Sequence, residues 1–128
     1  MGTFKSFEEI QAWQKSKAIA LDVYKITNDK PFKNDFDLSR QMRRCAISIS
    51  SNIAEGFERQ TTKEFIQFLF IAKGTCGELR AQIHIAFELK YIEDKIKNQL
   101  LEECDYTSKM ISKLITYLRT TIKNSINV

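Results

Sequence analysis

The stretch Leu38-Ser39-Arg40-Gln41-Met42-Arg43-Arg44-Cys45-Ala46-Ile47-Ser48-Ile49-Ser50-Ser51-Asn52-Ile53-Ala54-Glu55-Gly56-Phe57-Glu58-Arg59 decides the fold class. Leu38, Met42, Cys45, Ala46, Ile49, Ile53 and Phe57 recur at i, i+4, i+7, i+8, i+11, i+15 and i+19, which is one face of an α-helix. Serine and asparagine compete for backbone hydrogen bonds and are indifferent helix formers. Here Ser48, Ser50, Ser51 and Asn52 interrupt the pattern without breaking the stripe. A helix that keeps its core face while carrying small polar residues beside it is expected to have a second surface to satisfy: another helix, another subunit or a ligand.

The same periodicity runs outward in both directions. Ser6 with Glu9 reads as a capping box for a first helix over about residues 7–26. Ile10, Trp13, Ala20 and Tyr24 form its stripe, widened by Ala12, Ile19, Val23 and Ile26. Pro31, Asn28, Asn34, Asp29 and Asp35 mark one clear loop, which Phe32 and Phe36 are expected to pin. Asp37 is the expected cap of the second helix, about 37–57, and Gly56 its exit. Thr61 or Thr62 caps a third over about 62–90, with Phe65, Phe68, Leu69, Ala72, Cys76, Leu79, Ile83, Ala86 and Phe87 inward. A fourth, about 93–123, carries Leu100, Leu101, Cys104, Ile111, Leu114, Ile115, Leu118 and Ile122. With no strand pattern and short links, the expectation is a single all-α domain, an up-down-up-down antiparallel four-helix bundle.

Composition narrows the function. One proline and four glycines in 128 residues leave little turn punctuation, in keeping with long helices. The net charge of +4 permits contact with nucleic acid or an anionic surface without demanding it. Cys45, Cys76 and Cys104 are odd in number, far apart and lie in or beside apolar stripes. They read as reduced core thiols, with neither a metal site nor a disulfide framework expected. No run approaches the ~20 apolar residues of a membrane span. Met1 to Phe7 leads into charged sequence without an apolar signal core, so a cytoplasmic protein is expected.

Two groups of residues are candidates for function. Arg40, Arg43, Arg44 and Arg59 are read either as partners for nearby carboxylates such as Asp37 or as a phosphate-contacting patch, since the guanidinium fork suits both. Arg40 and Arg44 share a helix face, whereas Arg43 meets it only as the i+3 neighbour of Arg40. The second group is an interhelix polar network or interface. Gly74 and Gly77 each cost ~1 kcal/mol inside a helix, so something is expected to approach the backbone there, with Ser48, Ser51 and Ala54 of the second helix as the natural partner. Asn52, Glu55 and Glu78 are expected to link the two helices, because buried carboxylates require partners. With no nucleophile, no metal-ligand set and one histidine, His84, no catalytic residue and no cofactor is assigned.

Phe7 through Trp13, Leu38 to Ala46, Ser48 to Arg59, Glu64-Phe65, Ala72-Lys73-Gly74-Thr75 and Glu78-Leu79 together resemble the four-helix-bundle family of 23S rRNA intervening-sequence proteins. The most specific element is Ser51-Asn52-Ile53-Ala54-Glu55-Gly56 followed by Arg59. Gly74-Thr75 stands where the family usually has Gly-Ser. The resemblance implies a bacterial protein encoded within a ribosomal RNA gene insertion or elsewhere in the genome. Relatives include the accessory variability protein of diversity-generating retroelements, a pentameric barrel that binds reverse transcriptase and RNA. A homo-oligomer, a pentamer, that binds RNA or a ribonucleoprotein partner is therefore the expectation the resemblance carries; a protein-interaction scaffold is the alternative.

Overall fold

The computed structural model describes residues 4–126. Asp35 starts the helix that carries the deciding stripe: its carboxylate accepts from the Leu38 backbone N–H at 3.0 Å, satisfying one of the orphan donors of the first turn. The cap is thus Asp35, not Asp37, which lies in the first turn where it complements the helix dipole. In chain order the helices are α1, Gln11–Thr27; α2, Phe36–Glu58; α3, Thr62–Glu88; and α4, Asp94–Ile126. Short 3₁₀ turns, Phe7–Glu9 and Phe32–Asn34, precede α1 and α2. Each helix packs on its sequence neighbours and α1 closes onto α4. Among the described residues the diagonal pairs do not approach. This is the four-helix bundle, and no strand occurs among the described residues.

The expected stripes of α2, α3 and α4 form the core, except that Phe68 is half-buried at the α2–α3 corner, under Arg59, and not part of it. Met42, Cys45, Ala46, Ile49 and Ile53 are buried against Phe65, Leu69, Ala72, Cys76 and Leu79, with Cys104, Ile111 and Leu118 closing the other side. The first helix differs from expectation in two ways. Ser6 makes no side-chain cap; Glu9 reaches back to the Lys5 backbone N–H, and the extended Ile10 separates a 3₁₀ turn from α1. Its core face is Ala12, Ser16, Ile19, Val23 and Thr27, while Trp13 is half-buried and Tyr24 exposed. Ser16 and Thr27 are tolerated there because their hydroxyls donate to the Trp13 and Val23 carbonyls, each at 2.7 Å.

The helix ends are closed by specific bonds. Thr61 caps α3 by accepting from Glu64 N–H at 3.2 Å, and the Glu64 carboxylate accepts the Thr61 hydroxyl at 3.0 Å. At the far end, Lys90 N–H donates to Phe87 O at 2.8 Å and Tyr91 N–H to Ala86 O at 2.9 Å. This is the paired hydrogen-bond pattern of a Schellman ending, with Lys90 at φ 65° in the left-handed position. Tyr91 then donates its hydroxyl to the second Asp35 oxygen at 3.0 Å and packs on Phe32, their ring centroids 5.1 Å apart. One aspartate therefore both caps α2 and ties it to the α3–α4 turn.

Gly56 is not the exit of α2. It is buried inside the last turns, where a Cβ would lie 2.6 Å from Phe68 Cβ and 2.9 Å from a Phe65 ring carbon. The close backbone approach expected at Gly74 and Gly77 is found here instead. Those two glycines are exposed, and a Cβ on either would meet nothing within 4 Å.

Candidate nucleic-acid interface

The exposed flank of α2 carries a second periodic stripe. Phe36, Arg40, Arg43 and Ile47 recur at i, i+4, i+7 and i+11, roughly 120° round the helix from the core face at 100° per residue. With Tyr24 of α1 and Arg44 they line a groove of about 700 Å³ between α1 and α2. Ser39, Ser48 and Ser51 complete the wall, so the small polar residues border a concave surface. Among the described residues Phe36 is the most exposed large apolar side chain, at 74%, while Tyr24 and Ile47 are 42% and 41% accessible. Among the described residues no carboxylate lines the groove.

The three arginines of this groove differ in how they are held. Arg43 is half-buried; its Nε donates to the Thr27 hydroxyl at 2.7 Å and its guanidinium carbon lies 4.8 Å from the Tyr24 ring centroid. That arrangement fixes a flat cation at the groove's α1 side. Arg40 and Arg44 are exposed and, among the described residues, make no hydrogen bond, ion pair or ring contact. Asp37 pairs with none of the three. Arg44 also borders a smaller groove toward α3 with Gln41, Ser48, Thr75 and Glu78, without an ion pair to Glu78.

Arg59 belongs to a different place. Fifteen residues of helix put it ~22 Å along the axis from Arg44. Its Nε donates to Glu64 at 3.1 Å, Glu55 lies 3.9 Å away, and the guanidinium lies over the Phe68 ring at 5.3 Å. The hydrogen bonds from Thr61 and Arg59 hold the Glu64 carboxyl below its ordinary pKa. Arg59 is thus engaged by the α2–α3 corner.

The polar residues singled out on α2 and α3 do not join into one network. Asn52 donates to the Ser48 carbonyl at 2.7 Å and the Ser48 hydroxyl at 2.9 Å, within its own helix. Glu55 is exposed and faces Arg59; Glu78 is exposed and, among the described residues, bonds to none of them. The link from α2 to α3 at this level is Cys45, whose Sγ donates to the Thr75 carbonyl at 3.4 Å. Burial pushes the Cys45 thiol up to about 12, Cys76 to about 11 and Cys104 to about 12, so all three stay protonated and unreactive at neutral pH. All three are buried and free. Among the described residues no group of three or more His, Cys, Asp or Glu side chains could hold a metal ion. No helix there is long and apolar enough to cross a membrane.

Sequence reasoning missed Phe36, Tyr24 and Ile47 as groove residues. Phe36 does not pin the loop as expected; Phe32 does so alone, at 1% exposure. The signal for the groove is the second stripe on α2, legible once the arginines are counted at helical spacing with the aromatic residue. A further pair also escaped: Glu103 of α4 lies beside Asp22 of α1 with Oε2 buried and unbonded. Burial, then the Asp22 carboxylate, raises the Glu103 pKa, partly opposed by a hydrogen bond from Gln99.

Comparison with known proteins agrees with this fold. A crystal structure of a protein of unknown function from the S23 ribosomal protein family of Bacteroides thetaiotaomicron superposes with a TM-score of 0.76. The match covers 82% of this chain and 95% of that one at 22% identity, and it carries the fold alone. No functionally curated protein matches the chain. The family model described as 23S rRNA-intervening sequence protein matches residues 8–113, through all of α1, α2 and α3 and much of α4, and the chain belongs to that family.

Proposed function

We propose that the protein is a non-enzymatic, homo-oligomeric helical bundle that binds RNA or a ribonucleoprotein partner through the α1–α2 groove. The observation that carries this reading is the pair Arg40 and Arg44, exposed and without a carboxylate partner among the described residues, beside the fixed cation of Arg43. Phosphate is a ligand that satisfies closely spaced guanidinium groups without any acidic residue from the protein itself, and a strand of RNA supplies it at regular spacing. A +4 chain repeated around a ring raises the local field and the number of counterions released on binding.

The exposed face of α3 supports assembly. Phe70, Ile71, Gly74, Gly77, Ala81 and Ile85 lie exposed along one side of that helix. Among the described residues nothing lies within 4 Å of a Cβ at either glycine, so the exposed backbone is available to a helix of another subunit. A pentamer is the stoichiometry that the family resemblance carries. The same apolar face favours the second reading, a protein-interaction scaffold without nucleic acid.

The test is size-exclusion chromatography with light scattering, read at two wavelengths before and after nuclease and again with added ribosomal RNA fragments. The expected result is a closed oligomer that takes up RNA in a salt-sensitive manner. A closed oligomer indifferent to RNA establishes the scaffold reading, and a monomer overturns the assembly.

A further inference from the structure

We infer that the α1–α2 groove takes an unstacked base of single-stranded RNA on the Phe36 ring, with the flanking phosphates on Arg40 and Arg44. The inference rests on the RNA-binding reading above and narrows it to a strand class.

Phe36 is the observation that asks for a partner. It is the first residue of α2, in the turn that Asp35 fixes by its bond to Leu38 N–H, so its backbone is held while its ring is 74% exposed. The core has no use for it, because Phe32 fills the neighbouring interior position. Across the same groove the Arg43 guanidinium and Tyr24 ring lie against each other, and Thr27 sets the guanidinium's place. Only one of the five guanidinium N–H donors is used by Thr27, which leaves others for a base edge or phosphate. The groove thus offers an aromatic ring, a guanidinium–phenol pair and two unengaged cations within about 700 Å³.

These are the requirements of a single strand. Aromatic rings and arginine planes bind bases whose π-faces are free, and every base has such a face. In an A-form duplex those faces are covered by neighbouring bases, and only phosphate and 2′-hydroxyl remain for the protein. A duplex would use the arginines and leave Phe36 bare. A second copy of the chain fits less well: a two-fold contact through this groove would set arginines against arginines, with no carboxylate on either wall.

The experiment compares two fluorescent probes on the full chain by anisotropy, a short single-stranded oligoadenylate and a blunt-ended, loop-free RNA duplex of equal phosphate count. Phe36→Ala is expected to weaken the oligoadenylate by roughly tenfold, the scale of removing one base–aromatic stack, and to leave the duplex unchanged. Phe36→Trp is expected to restore it. Arg40→Gln with Arg44→Gln is expected to weaken both probes. If Phe36→Ala changes neither probe, or both equally, the stacking inference is overturned while RNA binding stands. If the unaltered protein binds neither probe, the RNA reading itself fails. Light scattering on the same samples supplies the remaining outcome: a Phe36→Ala protein with altered mass assigns the groove to contact between copies and overturns the inference.

Discussion

The two ends of α2 are built from similar residues and do opposite things. Toward its N-terminus, Arg40 and Arg44 stand beside an exposed phenylalanine over an open groove. Toward its C-terminus, Arg59 stands over Phe68 but is met by Glu55 and Glu64, and Gly56 lets α3 pack directly on the backbone. What separates them is the neighbour across the helix. At the corner, the α2–α3 link is three residues long and brings α3 with its acidic first turn against the arginine. At the groove end, the facing α1 presents Tyr24 and Thr27, which accept one arginine and offer no carboxylate to the others. An arginine's role here is set by what the adjoining helix supplies.

Glycine substitution gives the largest contrast. Gly56→Ala places a methyl group against Phe68 and Phe65 atoms that belong to packed side chains near their backbones, so the helices must separate slightly. The expected cost is about 2 kcal/mol, as for other overpacked cores, read as a lowered midpoint in urea. Gly74→Ala and Gly77→Ala meet open space in the chain. Each is expected to stabilise the isolated bundle by up to ~1 kcal/mol through helix propensity. A loss of oligomer mass in either variant would place the missing close approach between subunits.

The arginines give the next effect. Arg40→Gln with Arg44→Gln is expected to weaken RNA by roughly tenfold and to lower the salt slope by about one for each phosphate that no longer meets a guanidinium. Arg59→Gln is expected to leave RNA affinity unchanged, because its guanidinium is already engaged. Equal losses at the two ends would erase the distinction. Asp35→Ala is expected to cost ~1 kcal/mol for the missing cap, plus the tie to Tyr91, without touching the groove cations.

The bundle was legible because its core follows a single rule, burial at helical spacing, and the stripes of α2, α3 and α4 obey it. The site was only half legible. The arginines were visible as a cluster, but Arg43's membership depended on Thr27 and Tyr24, contributed by another helix. The expected Asn52–Glu55–Glu78 network rested on burial of the carboxylates, and both are exposed. Gly56 reads in the sequence as a helix exit and the pair Gly74, Gly77 as a close approach, whereas the structure puts the close approach at Gly56. Only the position of Phe65 and Phe68 across the corner separates them.

The smallest effect at the corner end lies in acid. Hydrogen bonds from Thr61 and then Arg59 lower the folded-state pKa of Glu64 below its unfolded value. Its contribution to stability is therefore present above the ordinary carboxylate pKa and lost as pH falls through the lowered one. Glu64→Gln removes that titration and frees Arg59 from its nearer partner. The acid limb of the Tm profile is expected to become shallower, with little change at neutral pH because the pair is exposed. Glu103 has the opposite sign: burial and Asp22 raise its pKa, so its contribution is present in acid and lost as pH rises past the usual carboxylate range. Glu103→Gln is expected to raise Tm at neutral pH and leave the acid limb in place. A Glu64→Gln protein that also gains RNA affinity would show that Arg59, once released, behaves as Arg40 and Arg44 do, and that the acidic neighbour alone makes the two ends of α2 different.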